Sequence, residues 1–134
     1  MKTKLVIVTC ILFGRVIAVS PNDINLPQLD LDQIEKAYVI SLGYDNIGVV
    51  ESALYCVVTL HYEFPHRDFR RIKEAVDDLS MNSETPLIRY KANVAKMYLN
   101  NPTLMNRLTK EDFKDGSDFW AMLVRINKLC HIIS

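Results

Sequence analysis

Residues 45–101 hold two apolar stretches that echo one another, and this echo constrains the fold more than any other feature of the chain. A shift of 39 positions lays Val49 on Ile88, Ala53 on Ala92 and Leu60 on Leu99, and it lays Asp45 on Glu84, so both stretches open with an acidic group. The steps from Val49 to Ala53 to Leu60 are four and seven residues, which keep all three side chains on one face of a helix. A small residue in mid-stripe, the alanine, lets a neighbouring helix approach closely. Between the two stretches lies a third, HRDFRRIKEAVDDLSMN, with its own apolar stripe at Phe69, Ile72, Ala75, Val76 and Leu79 and charged residues on the opposite side.

The same spacing predicts the remaining helices. Ile34, Ala37, Tyr38 and Leu42 imply a short helix over 31–42, capped by Asp30 and stopped by Gly43 in a left-handed conformation. The next runs over 47–62, with Asp45 or Asn46 as cap; Val49, Val50, Ala53, Leu54, Val57 and Leu60 face inward, and Pro65 ends it. The β-branched pair Val57–Val58 suits a strand equally well, but length favours a helix. Helices follow over 67–81 and from Thr85–Pro86 to about Asn100, the latter with Leu87, Ile88, Ala92, Ala95 and Leu99 inward. The short loop before residue 67 predicts that the helices it joins pack as an antiparallel hairpin. Residues 102–116 read as one helical turn and a polar loop. A final helix after Ser117 buries Phe119, Met122, Leu123, Ile126, Leu129 and Cys130. A shift of 50 matches this face to that of residues 69–79, so the second pair of helices reads as a repeat of the first with an insertion. The expected architecture is all-α: stacked antiparallel helix hairpins, about five helices in one domain over 31–134.

Residues 1–20 have the pattern of a secretory signal peptide: Lys2 and Lys4, an apolar run from Leu5 to Phe13, and small residues at Ala18 and Ser20. Arg15 departs from that pattern, and it also cuts the apolar run short of the ~20 residues a spanning helix needs. Cleavage after Ala18 fits best. The implied destination is outside the cytoplasm, periplasmic or extracellular, with no membrane association beyond targeting. Residues 21–30, with Pro21 and Pro27, form an extended lead-in. Without Lys2, Lys4 and Arg15 the chain keeps 13 basic against 16 acidic residues, a net charge of −3, which argues against bulk nucleic-acid binding.

The segment SETPLIRYKANVAKMYL resembles the opening helix of a HEAT-like repeat, through Glu84, Pro86, Ile88, Arg89, Ala92 and Ala95. Asp45, Val49 and Ala53 follow the pattern more loosely; Gly48 and the insertion at 102–116 depart from it. The likeness covers about residues 45–132 and extends to small exported bacterial proteins of unassigned function built from such helix pairs. It implies a short right-handed α-solenoid of ~40-residue units that binds other macromolecules. It carries over no catalytic residue.

Few residues suggest chemistry. His61, Glu63 and His66 are zinc-ligand types, but a five-residue spacing interrupted by Pro65 suits a solvated loop better. His131 stands alone near the C-terminus. Cys56 and Cys130 both fall on apolar faces and either bond in an oxidising compartment or lie apart as small core residues. The acidic clusters lack the alternation of a calcium loop. Arg67, Arg70 and Arg71 form the densest basic group, tempered by Glu74. Tyr55, Tyr62, Tyr90, Tyr98 and Trp120 fall mostly outside the strict apolar stripes. They either anchor a partner or cover helix seams. The expected function is a non-catalytic exported scaffold without cofactor or metal, binding a protein partner or itself across these aromatic and basic residues. The competing reading is a small exported enzyme or metal carrier using His61, Glu63 and His66.

Overall fold

The structure, a computed structural model, describes residues 30–114 and 118–133, with the helical backbone alone for 130–133. The expected signal peptide and lead-in lie outside the described residues. Within them all regular structure is helical: α1 (Leu31–Leu42), α2 (Ile47–Glu63), α3 (Arg70–Asn82), α4 (Pro86–Leu99), α5 (Pro102–Met105), a 3-10 turn (Lys110–Phe113) and α6 (Phe119–Ile133).

Local chemistry sets most of the boundaries. The Asp30 carboxylate accepts from the N–H groups of Asp32 at 3.0 Å and Gln33 at 3.2 Å, which starts α1. The side chain of Asn46 accepts from Val49 N–H at 3.2 Å and starts α2, and Pro86 opens α4. Gly43 ends α1 with φ −89°, so the left-handed stop expected there does not form. The loop before α3 is longer than expected. Arg67 and Asp68 stay outside the helix, and Phe69 at its N-cap is buried and supplies no capping group.

The cap of α3 comes from another helix. Glu35 of α1, only 6% exposed, accepts the Arg71 N–H at 2.9 Å. A carboxylate fits here because the first turn of a helix leaves N–H groups unbonded and carries partial positive charge. Beside it, Arg67 pairs with Asp32. The two contacts step forward together along α1 and along the segment 67–71 that leads into α3, so α1 and α3 run parallel. Between α3 and α4 the partners step in opposite directions: Lys96 pairs with Asp77, and the Asn93 amide donates to the Ser80 carbonyl. These helices are antiparallel across a three-residue turn.

The close pairings are α1 with α2, α3 with α4, α1 with α3, and α2 with α4. The hairpins are therefore α1/α2 and α3/α4. The expected α2/α3 hairpin is corrected: the buried ring of Phe69 draws the connection across the stack, and the two helices it joins do not form a close pair. The first helices of the two hairpins start at Leu31 and Arg70, and the second at Ile47 and Pro86. Both offsets equal the 39-residue shift of the sequence echo, counted from α1.

Ala53, Ala92 and Ala95 are buried. Glu51 pairs with Lys91 across the seam between α2 and α4. A third layer, the 3-10 turn and α6, packs on α4, with Phe119 and Leu123 buried. Three residues expected inside, Val49, Leu87 and Leu129, are exposed instead. Val49 and Leu87 lie in the first turns of their helices, where neither the other hairpin nor α6 covers them, and Leu129 lies toward the end of α6.

Replacing Glu35 with alanine strands the N-terminus of α3 and is expected to cost about 1–3 kcal/mol of unfolding free energy. Glu35→Gln keeps an acceptor and costs less. Urea denaturation of the two variants against the parent checks the order.

Candidate functional site

The aromatic and basic residues singled out from the sequence do not form one surface. Tyr98 is corrected outright: it is 0% exposed, and its hydroxyl donates to the Leu123 carbonyl at 2.7 Å, so it fastens α6 to α4. Tyr55, Tyr62 and Trp120 are half-buried and line the seam under α6. The Tyr55 hydroxyl donates to the Phe113 carbonyl at 2.8 Å, and its ring stands edge-on to Phe119 at 4.7 Å. Tyr62 packs on Phe113 at 4.7 Å, and Trp120 on Phe119 at 5.2 Å. Lys91 sits 5.8 Å from the centre of the Trp120 ring, which completes the seam with a cation–π contact. Partial burial lowers the pKa of this lysine. Of the five aromatics, Tyr90 alone stands on an open face.

Arg67, Arg70 and Arg71 are exposed at the N-terminal end of α3. They border an open cleft of about 510 Å³ lined by Asp32, Glu35, Lys36, Asp68, Arg70, Arg71 and Glu74. The cleft is neutralised from within. Arg67 pairs with Asp32, Lys73 with Asp68, and Arg70 with Glu74, which raises the Arg70 pKa. The natural seat for an anion, the free N–H groups of α3, is already taken by the Glu35 carboxylate. Sequence reasoning missed Glu35 because an acid in the second turn of an amphipathic helix reads as solvated; only the tertiary arrangement buries it.

The possible ligand trio separates. His61 is buried, 7% exposed, with its ring edge-on to Phe69 at 6.3 Å. His66 lies exposed in the loop beyond Pro65. Among the described residues no three His, Cys, Asp or Glu side chains converge as a metal site would require. Cys56 is half-buried on α2; the side chain of Cys130 lies outside the described residues, and so does the expected disulfide.

What the fold does bring together is the pair of hairpin turns. Ile40, Tyr44 and Ile47 border the first turn, and Met81, Leu87 and Tyr90 border the second; all six are exposed. Because α1 and α3 run parallel and the second helices lie side by side, both turns lie at the same end of the stack. Each carries an acidic residue two positions before its second helix, Asp45 and Glu84. No helix among the described residues is long and apolar enough to cross a membrane.

Comparison of the chain with protein-family models, with curated proteins and with solved structures found no match.

Burial lowers the His61 pKa, and the nearby Lys73 lowers it further, against a smaller opposing effect of Asp68. The unfolded chain therefore binds a proton at this site more readily than the folded one. This contribution to stability is fully present above pH 6.5 and is lost as pH falls from there toward the lower folded value. The expected outcome is that parent unfolding free energy drops more steeply below pH 6.5 than that of His61→Leu, measured by denaturant titration at several pH values.

Proposed function

We propose that this chain is an exported, non-catalytic helical scaffold of HEAT-like character, which acts by holding a protein partner or another copy of itself. The observation that supports the reading is the turn end of the stack. Two hairpins in matching register leave six large apolar side chains exposed side by side, where a free-standing domain would spread such residues singly. Stacked hairpins are also extensible and leave faces that a neighbouring unit or partner can cover. The 39-residue offset of both helix starts agrees with the resemblance seen in Glu84, Pro86, Ile88, Arg89, Ala92 and Ala95. Export rests on the pattern of residues 1–20 alone.

Immobilised mature chain is expected to retain a protein in stoichiometric amount from extracts of its own source, and the double variant Ile47→Asp/Leu87→Asp to lose it. Retention that ignores this variant, or no retention together with a chain that stays monomeric, overturns the reading. Metal analysis of the purified chain is the matching check on the competing carrier reading, which requires metal bound through His61 and His66.

A further inference from the structure

We infer that the turn end of one copy docks on the outer face of α6 of a second copy, head to tail; this rests on the scaffold reading and names its partner. The socket is built twice over. Glu51 and Lys91 pair across the α2/α4 seam. One turn earlier on each helix stand Ile47 and Leu87, 49% and 47% exposed, so they too are lateral neighbours. Asp45 and Glu84 precede them, and neither forms an ion pair among the described residues. Six other carboxylates, at Asp32, Glu51, Asp68, Glu74, Asp77 and Glu111, have a cation. The socket thus offers two apolar contacts and two unanswered negative charges, at the ~8–10 Å spacing of packed helices.

The complement is on the same chain. Arg125, Lys128 and Leu129 are exposed on α6, and their three- and four-residue spacing places them on one side of it. Leu129 is 55% exposed, and neither cation is in an ion pair among the described residues. At the other end of the molecule Arg67, Arg70 and Lys73 are in ion pairs, while Lys36 and Arg71 are exposed and in none, but no large apolar side chain lines the cleft beside them.

Within one copy the two patches do not meet. Asn127 approaches Met97, at the far end of α4 from Glu84. The rise of a helix puts that separation at roughly 20 Å. Charge complementarity is therefore satisfied only between copies. Because two different patches meet, the contact is heterologous, and each copy keeps a socket and an α6 face for the next. The two carboxylates also make an anionic membrane surface a poor occupant.

Sedimentation velocity over a range of protein concentrations, at low and high salt, tests this with folding of each variant confirmed by circular dichroism. The parent is expected to associate with rising concentration and less so at high salt. Asp45→Lys/Glu84→Lys should weaken association on the order of tenfold or more, and Arg125→Glu/Lys128→Glu likewise. An equimolar mixture of the two variants should form mixed assemblies in which the two kinds of chain alternate, since the socket of each complements the α6 face of the other. Combining all four substitutions in one chain should restore self-association. A parent that stays monomeric at millimolar concentration, or a mixture that forms no mixed assembly, overturns the inference. If the immobilised chain still retains a different protein through Ile47 and Leu87, the scaffold reading stands without it.

Discussion

The side-by-side packing of α2 on α4 is the contact on which the rest of the molecule depends. Ala92 and Ala95 put small buried side chains on α4, and the ion pair of Glu51 with Lys91 fixes how far one helix slides along the other. Once that register is set, the hairpin partners follow: α1 lies against α3 and both turns reach the same end. The adjoining face of α4 then receives α6, fastened by the Tyr98 hydroxyl on the Leu123 carbonyl. Small side chains give proximity without specificity. Specificity comes from the polar pairs that span the seams, each of which has one correct partner.

Local signals in the sequence were sufficient for the helices. Asp30, Asn46 and Pro86 act within one turn of their own positions, so their roles can be read without a fold. The spacing of Ala53 and Leu60, and of Ala92 and Leu99, likewise marks inward positions, since all four are buried. Pairing was harder. A short loop favours neighbours in sequence as neighbours in space, and that preference led to an α2/α3 hairpin. The buried Phe69 defeats it, because a ring sunk into the core anchors the end of an otherwise exposed connection on the other hairpin. Nothing in the spacing of the helices distinguishes those two arrangements.

The same limit applies to the surface. Aromatic residues outside a stripe can anchor a partner or close a seam, and the choice depends on what the final helix covers. Tyr55, Tyr62, Tyr98 and Trp120 went to the seam, because α6 and the 3-10 turn lie over them. Val49 and Leu87 went the other way. They read as core by period, yet α6 stops short of the first turns of α2 and α4. The exposed turn end is thus a product of where the third layer ends, which no single helix encodes.

Glu35 has a consequence for how the molecule comes apart. Its carboxylate belongs to the first hairpin and satisfies the opening turn of the second, across 36 residues of chain. Neither hairpin is complete without the other: alone, one turns its carboxylate back to water, and the other keeps a frayed start. Melting of one should therefore drag the other with it, and the two units should disappear in a single all-or-none transition instead of peeling off one at a time, as independent modules in an array would.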